Sequence, residues 1–178
     1  MKSLRPSILI LAAFLAVPTY ADQGFPPTAR WLAGFTPGSA LPVVLEGVRQ
    51  AQRSIWVACY SFTSKPVAVA LLDAAKRGVK VSVLADAKES AKGYSAIRFL
   101  ANQGIPVRLD HRHAMQHNKF MVIDETTVET GSFNYTVAAT QKNAENVLLV
   151  RQAPELAGSY ATEWRRLWDG GTPLPPSY

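Results

Sequence analysis

The sequence predicts an α/β fold, a mixed, mainly parallel β-sheet flanked by helices on both faces. Short apolar runs alternate along the chain with amphipathic stretches of helical period, which is the pattern of a layered α/β domain. Residues 54–62 (SIWVACYSF) are apolar on both faces, as in a central strand covered by helices on either side. No internal repeat divides the chain, and its length suits one domain with a real core.

The first residues are not expected to belong to that domain. A short basic opening with Lys2 and Arg5 precedes a ten-residue apolar run, 8–17, closed by Pro18-Thr19-Tyr20-Ala21. This is the pattern of a secretory signal peptide, and the run is too short to span a bilayer. The expected organisation is a signal peptide at 1–21, a leader at 22–34, a folded domain at 35–170 and a tail at 171–178. The mature chain is expected in the periplasm or secreted. An exported chain with a single cysteine, Cys59, forms no internal disulfide, so its core must hold the fold unaided. Cys59 lies within an apolar run and reads as a small buried hydrophobe.

Taken in order, residues 29–35 (ARWLAGF) read as a strand stopped by Thr36-Pro37-Gly38, and Ser39 as the N-cap of a helix with Leu41, Val44, Leu45 and Val48 inward. After the strand at 54–62, Ser64-Lys65-Pro66 opens a second helix that turns Val67, Ala70, Leu71 and Ala74 to the core and ends at Gly78. Residues 79–85 alternate as a third strand, 86–94 read as a polar loop, 95–102 as a short helix and 107–110 as a fourth strand. A basic loop, His111-Arg112-His113, follows. Beyond the central stretch described next come a short helical segment to about 142, a strand at 146–151 and a closing helix from Pro154. That helix carries Leu156, Tyr160, Trp164 and Leu167 as one core stripe.

The chemistry concentrates in residues 117–134, HNKFMVIDETTVETGSFN. The apolar run 120–123 reads as a buried strand, with His117 and Lys119, two apart, on one face. Asp124 turns the chain, residues 127–130 return, and Gly131-Ser132 breaks the return strand. An imidazole, an ammonium, a hydroxyl and an amide are thus delivered to adjacent strand ends. Such a set suits attack on a phosphodiester. Imidazole can be the nucleophile, and Lys119, Ser132 and Asn134 can donate to oxygens that carry charge in the transition state.

The skeleton His117-x-Lys119, Asp124, Gly131-Ser132-x-Asn134 resembles the signature of the phospholipase D superfamily, with all six specified positions matched. The likeness extends through Tyr60-Ser61-Phe62-Thr63 upstream and Asn143-Ala144-Glu145-Asn146 downstream, and covers about 35–168. Within the superfamily it is similar to the small, single-motif periplasmic endonucleases of bacteria. The resemblance implies a phospholipase D/nuclease-like fold and catalytic positions at His117, Lys119, Asp124, Ser132, Asn134 and Glu145. It implies His117 as nucleophile, Glu145 holding the other nitrogen of that ring, and Lys119 and Asn134 on the non-bridging oxygens. Asp124, at a turn, is expected to brace the motif. One histidine cannot both attack phosphorus and protonate the leaving oxygen opposite. The expected unit is therefore a two-fold homodimer with a shared site, His111 or His113 being the alternative acid.

No cofactor and no metal site are expected. His111, His113 and His117 are the only histidines, and no carboxylate cluster or CxxC pair accompanies them. The formal net charge of +6, two of it carried by Lys2 and Arg5, favours a polyanionic partner. The expected substrate is nucleic acid, DNA or also RNA. A phospholipid phosphodiesterase acting at a membrane is the alternative, and an inert nucleic-acid-binding module the third reading. The sequence shows no amphipathic membrane helix rich in exposed aromatics.

Overall fold

The computed structural model describes residues 24, 26–93 and 95–177. The expected signal peptide, the start of the leader and Tyr94 lie outside the described residues. Among the described residues eight strands form one sheet, in the order β1 (Arg30–Thr36), β7 (Glu145–Arg151), β6 (Thr127–Gly131), β5 (Phe120–Ile123), β2 (Ser54–Cys59), β3 (Lys80–Asp86), β4 (Val107–Asp110) and β8 (Thr172–Pro173). Its centre is β2 (Ser54–Cys59), parallel to β3 (Lys80–Asp86), which is parallel to β4 (Val107–Asp110). The crossovers are α2 (Lys65–Lys76), then α3 (Ala87–Ser90) and α4 (Ile97–Asn102).

On the other side of β2 every pairing is antiparallel. A three-residue turn joins β5 (Phe120–Ile123) to β6 (Thr127–Gly131), and so short a connection allows only antiparallel pairing. β7 (Glu145–Arg151) pairs antiparallel with β6 and with β1 (Arg30–Thr36), and β8 (Thr172–Pro173) pairs antiparallel with β4. The sheet is therefore mixed and covered on both faces, but not mainly parallel: parallel pairing is confined to β2-β3-β4, where helices make the crossovers.

The pleat of β2 divides the core in two. Ile55, Val57 and Cys59 face a large cluster with α1 (Ala40–Gln50), α2, α4 and α5 (Val137–Gln141). Ala58, with Trp56 at its margin, faces α6 (Pro154–Gly170) together with Phe120, Val122 and Val128. Val44 and Val48 of α1 are fully enclosed, and burial of each contributes about 1.5–3 kcal/mol. In α6 the Trp164 indole N–H donates to the Val57 carbonyl at 2.9 Å, so the buried tryptophan of that face is both packed and satisfied. Cys59 is buried, its thiol held against the Leu84 carbonyl, and burial pushes its pKa well up.

Several local expectations are corrected. Ser64 caps α2, accepting from Val67 N, but Ser39 does not cap α1; its hydroxyl accepts from Phe35 N at 3.2 Å. The inward face of α1 is centred on Val43, Val44, Gly47 and Val48, with Leu41 and Leu45 at its margin. Residues expected as a polar loop after β3 begin with α3, whose N-terminus is capped by the Asp86 carboxylate accepting from Glu89 N at 2.9 Å. Part of the expected tail is β8.

Candidate active site

The strand register gathers the chemistry at one edge of the sheet. Ala58 is level with Phe120, Phe120 with Thr130, Gly131 with Val147, and Glu145 with Thr36. The C-terminal ends of β2, β3, β4 and β6 and the N-terminal ends of β5 and β7 therefore meet there. The carboxyl ends of parallel strands are the common place for a ligand in such sheets.

Lys119 is largely enclosed, at 8% exposure, and its ammonium donates to the His117 carbonyl at 2.6 Å while lying 5.2 Å from the centre of the Tyr60 ring. Burial lowers its pKa, and the nearby Glu145 carboxylate pulls it back up. His117 is exposed, its ring resting on Tyr60 with centroids 4.6 Å apart. Tyr60 thus backs both residues of the His-x-Lys pair. Burial, and then the Glu89 carboxylate of α3, raise the pKa of its hydroxyl.

Opposite, Ser132 joins β6 to β7. Its N–H donates to the Asn146 carbonyl at 3.1 Å, and its Oγ accepts from Asn146 N at 3.1 Å. A Cβ at Gly131 would overlap the Asn146 carbonyl oxygen, so glycine alone permits this approach. The Ser132 hydroxyl donates to Glu145 Oε2 at 2.5 Å, and Asn143 Nδ2 donates to Glu145 Oε1 at 2.8 Å. Asn134 is half-buried, and its Oδ1 is enclosed and unpartnered among the described residues. The next residue, Tyr135, is seated by a parallel bridge to Phe62 and by its hydroxyl donating to buried Glu129 at 2.7 Å.

His117, Lys119, Ser132, Asn134 and Glu145 therefore share the edge, and Asp124 does not. At the far end of β5, its carboxylate accepts from the N–H groups of Gln52, Arg53 and Ser54 at 2.7–2.9 Å. It fastens the β5–β6 turn to the start of β2. The expected bond from Glu145 to the His117 ring is not among the hydrogen bonds of the described residues. Glu145 takes the Ser132 proton instead, so the hydroxyl expected to face substrate is turned toward a carboxylate.

Sequence reasoning missed the residues that hold the His-x-Lys segment. Asp86 Oδ2 accepts from Gln116 N at 2.9 Å, and Gln116, buried, accepts at its Oε1 from Asn118 N at 2.9 Å. Asp110, at the end of β4, accepts from Arg112 N at 2.7 Å and meets the His113 ring at 2.6 Å. These bonds hold its carboxyl below the usual range, against the burial that would raise it. Asp86-x-x-Glu89 is a capping-box spacing and would have revealed α3. Among the described residues no group of three or more His, Cys, Asp or Glu is placed to hold a metal.

A cleft of about 360 Å³ opens beside the His-x-Lys pair, lined by His117, Asn118, Lys119, Phe120, Thr130 and Gly131 and, from α6, by Ser159, Tyr160 and Glu163.

The family model described as "Cardiolipin synthase, PLD-like domain" matches residues 44–168. A phospholipase D of Rickettsia bellii is 37% identical over 131 residues, covering 73% of this chain and 65% of that protein. A mitochondrial cardiolipin hydrolase of Xenopus tropicalis is 38% identical over 130 residues, covering 73% and 61%. The chain spans less than two thirds of the length of these curated relatives. The crystal structure of Nuc from Salmonella typhimurium, described as a phospholipase D family member, superposes with a TM-score of 0.81 at 39% identity, covering 83% of this chain and 99% of Nuc. NucT from Helicobacter pylori shares the fold, with a TM-score of 0.73 at 22% identity. With all six signature positions present and five of the six named side chains meeting at one sheet edge, the chain belongs to the phospholipase D superfamily of phosphodiesterases, in its Nuc-like branch.

Proposed function

We propose that the protein is an exported, sequence-nonspecific and metal-independent endonuclease, acting on DNA and also on RNA. The observation that carries the reading is the exposed His117 imidazole beside the enclosed Lys119 ammonium at the mouth of a cleft, on a chain that matches Nuc over almost all of Nuc's length. Neutral imidazole attacks phosphorus, a P–N bond forms, and the P–O bond to the leaving nucleoside breaks. The leaving oxygen takes a proton from an acid on the opposite side. Water then attacks the phosphohistidine, releasing the second product and restoring His117. Lys119 and Asn134 stabilise the non-bridging oxygens, the role a metal plays elsewhere. Two chains meet so that the His117 of each serves one of the two proton and nucleophile tasks.

The second reading is phospholipid hydrolysis. It is favoured by the names of the relatives, phospholipase D and cardiolipin hydrolase. Among the described residues no helix is long and apolar enough to cross a membrane. Assaying plasmid DNA, RNA and phosphatidylcholine vesicles, each with and without EDTA, tests both readings. Nicking of DNA that persists in EDTA and weakens steeply with salt is the expected result, because each neutralised phosphate releases counterions. Loss of cleavage in EDTA, restored by a divalent ion, refutes the metal-free mechanism; turnover of vesicles alone refutes the nuclease.

A further inference from the structure

The geometry points to the cleft between the His-x-Lys pair and α6 as a nucleobase subsite, with Tyr160 as the face on which the base next to the scissile phosphate stacks. This inference rests on the nuclease reading and deepens it.

The cleft is continuous with the reacting centre. His117 and Lys119 form one wall, and Ser159, Tyr160 and Glu163 on α6 form the other. One of the two substituents of a phosphate held at His117 would extend into it. Its volume of about 360 Å³ is at the small end of the ~300–1,000 Å³ of small-ligand sites, which suits one nucleoside. The Tyr160 ring is fixed by an edge contact to buried Phe120, with centroids 5.0 Å apart at 78°. It is half-buried, so part of the ring borders the cleft. A ring already immobilised loses little further freedom on binding a base, and stacking is indifferent to base identity, as a nonspecific nuclease requires.

The polar lining favours a polar occupant over hydrocarbon. Both oxygens of Glu163 accept from Arg166, at 2.7 and 2.8 Å, and that pairing holds its carboxyl below the usual range, so it remains an anion. Arg166 offsets much of that charge, and the remaining lone pairs of the carboxylate can accept from an amino or hydroxyl group of a nucleoside. Lipid chains would leave Asn118, Thr130, Ser159 and Glu163 facing hydrocarbon.

The test is a double-mutant cycle on dithymidine monophosphate, which has a single phosphodiester, and on its two analogues with one base or the other replaced by hydrogen. Wild-type kcat/KM is expected to fall about 5–150-fold for one of the two analogues, the range that stacking of one base spans. Tyr160→Leu is expected to lose a similar factor on the full substrate and nothing more on that analogue, whereas Tyr160→Phe keeps the preference. A folding defect in Tyr160→Leu would scale all three substrates alike, and the coupling would vanish. Losses that multiply, or a wild-type enzyme indifferent to both bases, overturn the subsite while leaving the nuclease reading intact. A wild-type enzyme that cleaves none of the three but turns over phosphatidylcholine vesicles overturns both.

Discussion

Asp86 and the backbone N–H of Gln116, thirty residues apart in the chain, are joined by a 2.9 Å hydrogen bond at the carboxyl end of β3. The same carboxylate caps α3 through Glu89 N, and Gln116 in turn accepts from Asn118 N. One enclosed acid therefore sets both the helix behind Tyr60 and the segment that presents His117. Asp86→Ala is expected to lower kcat by about ten- to a hundredfold through misplacement of His117, and to cost about 1–3 kcal/mol for the unpaired N–H groups. Asp86→Asn, with one acceptor left, should fall between. Kinetics beside urea unfolding check this; unchanged kcat in a destabilised Asp86→Ala protein would reduce the residue to a helix cap.

That relationship also shows what was and was not legible in the sequence. Apolar runs place β2 and β5 to within a few residues, because burial on both faces leaves an unmistakable composition, and β6 follows as the return strand after the Asp124 turn. The spacing of the six-position signature follows one hairpin, which brings His117, Lys119, Ser132 and Asn134 to one sheet edge. Pairing direction beyond that hairpin depends on which strand the chain returns to, and no local pattern states this; hence the expectation of a mainly parallel sheet. β8 is two residues, one a proline, and exists only because β4 offers an edge. Asp86 and Asp110 read locally as strand ends facing a loop, and their partners were set by folding. Glu145 is expected on the His117 ring and lies instead against Ser132, a side-chain geometry that sequence cannot supply.

Glu129 is fully buried beneath the Gly-Ser-x-Asn turn, and burial raises its pKa to about 8, against the opposing effect of the Tyr135 hydroxyl. The folded protein therefore holds this proton more tightly than the unfolded chain, whose carboxyl titrates near 4.5. Its contribution to stability is complete below about pH 4.5 and is lost as pH rises to about 8, by up to ~5 kcal/mol at ~1.4 kcal/mol per pH unit. Glu129→Gln should abolish that slope and make the protein the more stable at pH 9. Urea unfolding at pH 5, 7 and 9 reads it directly; equal slopes in both proteins would contradict it.

Asp124 should matter to folding and hardly to chemistry. Its carboxylate accepts from three backbone N–H groups, and its backbone is left-handed at φ 52°. Asp124→Ala is expected to lose about 3 kcal/mol by combining lost bonds with backbone strain, and Asp124→Asn, which tolerates that φ, less. Specific activity of the folded fraction should stay within about twofold. A well-folded Asp124→Ala protein with no activity would place the residue in the reaction.

The influence of the Glu145 carboxylate on Lys119 predicts a shift in the alkaline limb of the pH–rate profile. Burial lowers the Lys119 pKa and Glu145 raises it, so the ammonium persists to higher pH while the carboxylate is present. Glu145→Gln is expected to move the alkaline limb of kcat/KM to lower pH, and Lys119→Ala to abolish turnover. An unmoved limb in Glu145→Gln would separate that loss of activity from the state of Lys119.

His117 is the one histidine of the signature, and attack from one side of phosphorus leaves the opposite oxygen without its proton donor. His111 and His113 are the alternatives within the chain, but neither lines the cleft beside His117, and the His113 ring meets the Asp110 carboxylate at 2.6 Å on the loop after β4. A second copy related by a two-fold axis supplies an identical imidazole from the opposite direction. Mixing wild-type with His117→Ala subunits tests the shared site. Cleavage of DNA should fall as the square of the wild-type fraction, because a mixed dimer keeps a nucleophile but lacks the acid. On a nitrophenyl phosphodiester, whose leaving group departs without a proton, mixed dimers should recover part of their activity. A linear decline on DNA, from a protein that sediments as a monomer, would return the acid's role to the single chain, and His111→Ala or His113→Ala would then be the variant that abolishes cleavage while sparing the nitrophenyl ester.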